Sequence, residues 1–365
     1  MKKILALVLS LVLVAGLSTA ALADVTVSWY NFGDAFSSYV RDYASAKFEA
    51  LGIPFVNKDS NNIQQTQNDD LQTAVVTGTD ALVVQMVDSG AYATAKNILQ
   101  MGVDAGIPVV FFSRVMSTNN DECAELVGSY DKTIYVGTDP AEAGVYQGQM
   151  IGEYLVANYD AVDLNGDGVI SYVMLKGDQA NQEAIYRTMY SVIYANQALE
   201  AAGKPAIKFY DDAAEMHYTA DGSEEGYYIV DPTASWSQTF GNETITTILS
   251  QYNESNGNMP ELIIANNDDM AIGAINALKV AGYNTNGATV IPVFGVDATQ
   301  FAKDAIAAGE MIGTVEQSSQ KLGETVAKVT DNMLKGAELT EGLDEGIELR
   351  DGWQIVVPYG KYTGE

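Results

Sequence analysis

The sequence contains a single cysteine, Cys123, and a single histidine, His217, among its 365 residues. One cysteine cannot form an intrachain disulfide. Serine–histidine or cysteine–histidine catalysis would have to use His217, and the sequence has neither a G-x-S-x-G turn nor zinc-ligand spacing to support it. Cys123 is either a reactive thiol or a small, partly buried hydrophobic residue, and we predict the second. The composition therefore argues against nucleophilic and zinc-dependent catalysis.

Basic residues are also scarce. Lysine and arginine together number 19 against 48 aspartates and glutamates, which gives a formal net charge of −29 at pH 7. Such a chain is repelled by the phosphates of nucleic acids and by anionic membranes. We therefore predict no nucleic-acid partner.

Nucleotide-binding signatures are missing as well. The sequence has no G-x-x-x-x-G-K-[ST] or G-x-G-x-x-G match, and "GVYQGQMIG" (144–152) has the wrong spacing for a phosphate-binding loop. We predict instead that these glycines lie on a helix and allow it to pack closely against a neighbour.

The one long apolar run lies at the N-terminus, in "MKKILALVLSLVLVAGLSTAALAD". Two lysines, the apolar run and a small-residue "ALA" site predict that residues 1–23 are a secretory signal peptide. The protein would then be exported across the bacterial inner membrane to the periplasm, or to an extracytoplasmic location if the envelope has no outer membrane. An uncleaved membrane anchor is the alternative, because the run approaches the minimum length of a spanning helix.

From residue 25 onward, short β-branched or aromatic runs alternate with amphipathic stretches of helical length. This alternation predicts an α/β fold with parallel sheets covered by helices on both faces, and the length suggests two domains. Residues 115–128 interrupt the pattern, and we predict a crossover between domains there. Residues 211–235 have no clear period and are predicted to form a surface loop or insertion.

Residues 163–171, "DLNGDGVIS", follow the pattern of an EF-hand calcium loop, which takes oxygen ligands from alternate positions one to nine. That pattern ends in a bidentate glutamate at position twelve. Here position twelve is Met174, which offers no oxygen. The loop is therefore either a calcium site whose last carboxylate comes from elsewhere in the chain, or a turn that binds no metal.

Several segments, taken in this order, resemble the periplasmic galactose/glucose-binding proteins, which are type I solute-binding proteins of ABC sugar transporters. The resemblance covers residues 24–359. The segments that carry it are "YNFGDAF" (30–36), "DSNNIQQTQNDDLQTAVVTGTDALVV" (59–84), "IPVVFF" (107–112), "SYDKTIYVGTD" (129–139), "DLNGDG" (163–168), "ELIIANNDDMAIGAINALK" (261–279) and "VIPVFGVDA" (290–298).

The resemblance implies a two-lobed type I periplasmic binding protein fold, with a parallel sheet flanked by helices in each lobe and a hinge of three chain crossings. We assign residues 24–114 and 318–356 to the N-terminal lobe. Residues 115–317 and 357–365 form the C-terminal lobe, which contains the calcium loop 163–171. The protein is expected to be a monomer.

The resemblance also implies where the missing carboxylate lies. In this family it comes from a distant strand, at the position that matches Glu261. The implied ligands of a structural Ca²⁺ are Asp163, Asn165, Asp167, the carbonyl of Val169, Ser171 and Glu261. Position nine of the loop is usually glutamine in the family. The shorter Ser171 would coordinate the ion through a water molecule or not at all.

A sugar site is implied in the cleft between the lobes. The family pattern places hydrogen-bonding groups at Asp34, Arg187, Asn267 and Asp297, and aromatic faces for the sugar ring at Phe36 and Trp236. Asp34 and Phe36 would come from the first lobe and the others from the second. Three alternatives stay open: Asp34 as only a helix N-cap, Arg187 as a solvated helix charge, and Trp236 as a core or surface residue.

Three further positions depart from the family pattern while staying polar. They are Gln85 in place of asparagine, Asn181 in place of histidine and Glu183 in place of aspartate. These substitutions change the volume of the pocket and the pattern of sugar hydroxyls that it can bind. We expect D-galactose or D-glucose as the ligand, with a pentose or a modified hexose as the second candidate.

The expected function is therefore binding of a monosaccharide and its delivery to a membrane ABC permease, with no enzymatic activity. A sugar sensor that faces a chemoreceptor would use the same binding chemistry. A secreted glycoside hydrolase is the rival from another class, because Asp34 and Asp297 could supply its two carboxylates.

Overall fold

The structure is a computed structural model that describes residues 24–285 and 287–364. The predicted signal peptide, residues 1–23, lies outside the described residues. Within the described part of the chain, no helix is both long enough and apolar enough to cross a membrane.

The described chain alternates strands and helices, as the sequence pattern predicts. The strands are β1 (Val25–Trp29), β2 (Phe55–Asp59), β3 (Ala81–Val84), β4 (Val109–Phe112), β5 (Thr133–Gly137), β6 (Ser171–Lys176), β7 (Lys208–Phe209), β8 (His217–Tyr218), β9 (Glu224–Gly226), β10 (Ile229–Val230), β11 (Leu262–Ala265), β12 (Val293–Val296), β13 (Gly313–Glu316), β14 (Glu348–Arg350), β15 (Gln354–Val356) and β16 (Gly360–Tyr362). The helices are α1 (Ala35–Leu51), α2 (Gln64–Thr77), α3 (Tyr92–Ala105), α4 (Asn120–Gly128), α5 (Pro140–Val162), α6 (Gln182–Ala201), α7 (Gln238–Leu249), α8 (Asp268–Val280), α9 (Gln300–Ala307) and α10 (Ser319–Lys335), with a short 3₁₀ helix at Glu254–Asn256.

The strands form two large sheets, one in each lobe. The first has the order β14-β15-β5-β4-β3-β1-β2 and is parallel except for β14. The second has the order β10-β6-β11-β12-β13-β16, with β7 also on β6, and is parallel except for β16. The two-lobed α/β fold is therefore confirmed. The strands at the centre of each sheet are buried along their whole length, as expected for sheets covered on both faces.

The predicted boundary between residues 114 and 115 is wrong. Residues 120–128 form helix α4 of the first lobe, and β5 then pairs with β4 in the first sheet. Apolar side chains of α4, Leu126 and Val127 among them, belong to the core of that lobe. The chain first crosses to the second lobe at residues 138–139, after β5, and it crosses again after β13 and after β15.

Cys123 lies on α4 and is buried, and burial raises the pKa of its thiol to about 11. It is therefore a small core residue and not a reactive thiol, as predicted.

The glycines of "GVYQGQMIG" bring α5 and α6 into close contact, which confirms their predicted role. A Cβ atom on Gly144 would lie 2.3 Å from the carbonyl oxygen of Tyr186, and one on Gly148 would lie 2.7 Å from that of Ser191. Only residues without a side chain allow two helix backbones to approach this closely.

The insertion 211–235 carries the hairpin β8–β9 and the strand β10, which pairs with β6. It is attached to the second lobe by a buried ion pair between Lys176 and Glu225, and the Lys176 ammonium also lies over the ring of Tyr228. The insertion lies where it was predicted, but a buried ion pair anchors it to the second lobe.

Candidate functional site

A cavity lies between the two lobes, at the carboxyl ends of their parallel strands. Its free space, including its mouth to solvent, is about 420 Å³. All nine predicted sugar-site residues line it: Asp34, Phe36 and Gln85 from the first lobe, and Asn181, Glu183, Arg187, Trp236, Asn267 and Asp297 from the second. This is the edge at which open α/β sheets bind ligands.

Three helices point their N-termini at the cavity, and cavity residues cap them. Asp34 accepts a hydrogen bond from the Ser37 N–H at 2.6 Å at the start of α1. Asn181 caps α6, and Asn267 accepts from the Met270 N–H at 3.0 Å at the start of α8. Asp34 is thus both a helix N-cap and a cavity residue, so the two alternatives for it are not exclusive.

Arg187 is the most extensively bonded side chain of the cavity. It is 3% exposed, so the alternative of a solvated helix charge is wrong. Its Nη1 donates to the Asn266 carbonyl at 2.8 Å and lies 3.8 Å from the Asp297 carboxylate. Its Nη2 donates to Glu183 at 2.9 Å and to the Tyr359 hydroxyl at 2.9 Å. These contacts fix the position of the guanidinium group in the cavity wall.

Glu183 links the cavity to the hinge. One of its carboxylate oxygens accepts from the Thr138 hydroxyl at 2.7 Å, and the other accepts from the Tyr359 hydroxyl at 2.7 Å. Thr138 lies in the first chain crossing and Tyr359 in the third. The side chain that replaces the family's aspartate is thus already bonded to two of the three crossing segments.

Trp236 forms part of the second lobe's core as well as the cavity wall, and it is 6% exposed. Its backbone has a φ of 56°, and its N–H donates to the buried Asp231 carboxylate at 3.0 Å. The indole ring lies flat against Gly177, where a Cβ atom would be 2.2 Å from the ring. The backbone strain and the close approach together fix the orientation of the ring.

Burial raises the pKa of Asp297 well above its ordinary value, although the nearby Arg187 guanidinium acts in the opposite direction. Asp297 also has a φ of 123°, a backbone conformation that side chains other than glycine rarely adopt. A strained, buried carboxyl group at a cavity wall is typical of a functional position.

Three buried polar atoms of cavity residues have no hydrogen-bond partner among the residues that the structure describes. They are Oε1 of Gln85, Nε of Arg187 and Nε1 of Trp236. The first accepts a hydrogen bond and the other two donate one. Because buried polar groups are nearly always paired, a ligand with both donors and acceptors is expected here.

The chain is similar to known proteins over most of its length. The model of the family described as periplasmic binding protein domain matches residues 25–338. The chain belongs to this family.

One named relative and two solved structures resemble the chain over nearly its whole length. The D-galactose/methyl-galactoside binding periplasmic protein MglB of Haemophilus influenzae is 34% identical over 346 residues, which cover 94% of this chain and 91% of that protein. A solute-binding protein of Bacillus halodurans, solved with bound myo-inositol, has a TM-score of 0.66 at 22% identity over 94% of each chain. One from Clostridium phytofermentans, solved with bound β-D-glucose, has a TM-score of 0.69 at 16% identity over 93% of this chain and 94% of that one.

Five residues that the sequence reasoning did not single out also line the cavity of this periplasmic binding protein: Tyr30, Ser37, Ser113, Arg114 and Gln317. Ser113 and Arg114 directly follow β4, just as other cavity residues follow their strands. Gln317 directly follows β13 in the same way, so the position after a strand was a usable signal for all three residues.

The predicted calcium loop meets Glu261 in space. Glu261 accepts hydrogen bonds from the N–H groups of Asn165, at 2.7 Å, and Ser171, at 2.9 Å. Asp163 accepts from the N–H groups of Gly166 and Gly168 at 2.8 and 2.9 Å. The loop is thus tied to the start of β11 by the distant carboxylate that the resemblance implies.

The donor chemistry of this loop suits calcium, but the side chains as placed do not form a cage. Asn165 is paired with the backbone of Met259, from which it accepts at 2.9 Å and to which it donates at 2.8 Å, and the Ser171 hydroxyl donates to the same carbonyl. Among the described residues, no group of three histidine, cysteine, aspartate or glutamate side chains could share one metal ion.

Proposed function

We propose that this periplasmic binding protein binds a monosaccharide between its lobes and delivers it to a membrane ABC permease. The observation that carries the proposal is the set of unpaired buried atoms on Gln85, Arg187 and Trp236, three residues that come from both lobes and line one cavity. Sugar hydroxyls both donate and accept, so they match the one acceptor and the two donors. Unpaired buried groups also make such a site reject analogues that lack a hydroxyl.

D-galactose and D-glucose are the proposed ligands, because the relative with 34% identity is named as a D-galactose/methyl-galactoside binding protein. A pentose or a modified hexose is the second candidate, since Gln85, Asn181 and Glu183 depart from the family pattern. The proposed location is extracytoplasmic, and the proposed form is a monomer. A chemoreceptor is a second possible partner with the same binding chemistry.

Isothermal titration calorimetry of the protein, purified without sugar, tests the proposal against D-galactose, D-glucose, D-xylose and D-ribose. We expect one hexose to bind with micromolar or tighter affinity, which corresponds to about −8 kcal/mol or below. No heat with any of the four sugars would contradict a galactose or glucose ligand. The family membership would then establish the fold alone.

The proposal also holds that the protein is not an enzyme. Asp34 caps α1 and Asp297 adjoins Arg187, so both carboxyl groups already have structural partners. Incubation with an aryl glycoside should therefore release no aglycone. Release that is abolished in the Asp297→Asn variant would instead favour a glycoside hydrolase.

We further propose that the loop 163–171 binds Ca²⁺ as a structural ion. Its support is chemical: Asp163, Asp167 and Glu261 supply carboxylates and Val169 a carbonyl, and calcium prefers such hard oxygen ligands. Asn165 and Ser171 would have to leave Met259 to join them. Thermal unfolding with added Ca²⁺ should raise the Tm relative to unfolding with a chelator, whereas equal Tm values would contradict calcium binding.

A further inference from the structure

Arg114 extends from the first lobe into the wall of the cavity. It follows β4, and its Nε donates to the Met86 carbonyl at 2.7 Å while Nη2 donates to the Val87 carbonyl at 3.0 Å. Its guanidinium also lies over the ring of Tyr30, 4.2 Å from the ring centroid. These contacts belong to the first lobe and hold the charged group in a fixed position.

The same guanidinium contacts the opposite lobe. Its Nη2 lies 3.0 Å from the Asp178 carboxylate, which follows β6 of the second lobe. The side chains of Arg114 and Asp178 are only 6% and 15% exposed. Asp178 could in principle pair with Lys176 of its own lobe, but Lys176 is bonded to the buried Glu225. Asp178 is therefore free to serve the contact across the cleft.

The two lobes meet closely around this ion pair. A Cβ atom on Gly90 of the first lobe would lie 2.9 Å from the Ala180 carbonyl oxygen of the second. On the same side, the Asn62 side chain donates to the Thr233 carbonyl at 3.3 Å. These contacts join the two lobes, as the ion pair does.

We propose that the Arg114–Asp178 ion pair is an interlobe latch that determines how long the closed protein retains its ligand. Because Arg114 is already fixed by its own lobe, pairing with Asp178 orders little additional structure. Because both side chains are largely buried, water and salt screen their attraction less than that of a surface pair. The inference rests on the proposed function, since the ligand is the sugar of the same cavity.

The test replaces Asp178 with asparagine. The Asp178→Asn substitution keeps the side-chain shape and an oxygen that can accept from the Ala180 N–H, a bond of 3.1 Å in the wild type. The matched control is Asp160→Asn, which removes one charge from the Lys204–Asp160 pair within the second lobe. Both variants change the net charge equally, and only the first affects a contact between lobes.

Two measurements follow. Stopped-flow release of the sugar identified by calorimetry should be roughly 5 to 50 times faster for Asp178→Asn than for wild type, with a smaller change in the association rate. The control should match the wild type. Small-angle X-ray scattering without sugar should show a larger radius of gyration for Asp178→Asn than for both other proteins.

The outcomes separate the latch from the proposed function. Release and scattering of Asp178→Asn that equal those of Asp160→Asn would overturn the latch. If the wild type binds none of the sugars, the proposed function fails, and the sugar-free scattering alone still decides whether the ion pair favours closure. If Asp178→Asn does not fold, Asp178→Ser takes its place, because the serine hydroxyl can still accept from the Ala180 N–H while the charge is lost. Release and scattering of Asp178→Ser that equal those of Asp160→Asn would refute the latch.

Discussion

The contact between Gly177 and the Trp236 indole gives a sharp prediction about the cavity wall. Gly177 does not have the left-handed backbone that would strain another residue, so alanine is compatible with its backbone. The added methyl carbon would nevertheless lie 2.2 Å from two ring atoms of Trp236. The Gly177→Ala substitution therefore acts on the position of the ring and on little else.

The size of the effect follows from this distance. Carbon atoms in contact settle at about 3.5 to 4.0 Å, so the ring must move by roughly 1 Å or more. It cannot move freely, because the Trp236 backbone is bonded to Asp231 and the ring packs on the core of the second lobe. Overpacking of this kind costs about 1 to 3 kcal/mol of stability. If the displaced ring costs a similar amount of binding free energy, sugar binding becomes roughly 10- to 100-fold weaker.

The assay is calorimetric titration of Gly177→Ala, combined with chemical unfolding and tryptophan fluorescence. The control is Gly128→Ala at the end of α4, where an added Cβ atom meets nothing within 4 Å. We expect the control to bind like the wild type and Gly177→Ala to bind more weakly with a shifted emission spectrum. Wild-type affinity and emission in Gly177→Ala would refute the assigned role of the ring in the cavity wall.

Three further predictions concern the hinge, pH and helix packing. Tyr359→Phe removes the hydroxyl that accepts from Arg187, and should lower the free energy of unfolding by about 1 to 3 kcal/mol in urea titrations. Burial raises the pKa of Asp268 to about 7, so this group should lower stability progressively as the pH rises from about 4 to about 7, and Asp268→Asn should lose that part of the pH dependence. Gly148→Ala places a Cβ atom 2.7 Å from the Ser191 carbonyl and should cost about 1 to 3 kcal/mol in the same titrations.

Each of these has a contradicting result. Unchanged stability of Tyr359→Phe would mean that the hinge hydroxyl is not paired in solution. Parallel stability curves for wild type and Asp268→Asn between about pH 4 and 7 would mean that the carboxyl is ionised in the fold throughout this range. A Gly148→Ala protein as stable as Gly128→Ala would mean that α5 and α6 are not in close contact.

Much of the fold could be predicted because its periodic elements are long and regular. The predicted alternation of strands and helices from residue 25 onward is present in both lobes. The boundary at residue 114 failed because α4 has only nine residues, so its buried positions Cys123, Leu126 and Val127 show the helical spacing only once. Its start depends on Asn119, which accepts from the Asp121 N–H, a local signal that is easily read as part of a loop.

The sequence predicted nine of the residues that line the cavity, but neither the other five nor the bonds between them. Residues such as Asn267 and Asp297 follow strands, so their meeting at one edge follows from the parallel topology. The sequence could not show that Glu183 bonds to Thr138, 45 residues away, because that contact depends on how the lobes close. The calcium loop shows the same limit: its spacing was visible, whereas the pairing of Asn165 with Met259 was not.

The connections suggest how binding and closure are coupled. Arg187 bonds to Tyr359 in the third crossing and to Gln317 in the second, and Glu183 bonds to Thr138 in the first. The unpaired Nε of the same guanidinium belongs to a residue of the cavity wall, so a ligand hydroxyl that pairs with it contacts a group already bonded to the hinge. A ligand shifts a conformational equilibrium only by its difference in affinity for the two states. If rotation at the crossings moves Tyr359 and Gln317 away from Arg187, the open protein presents this guanidinium less well oriented, and the ligand therefore favours the closed state.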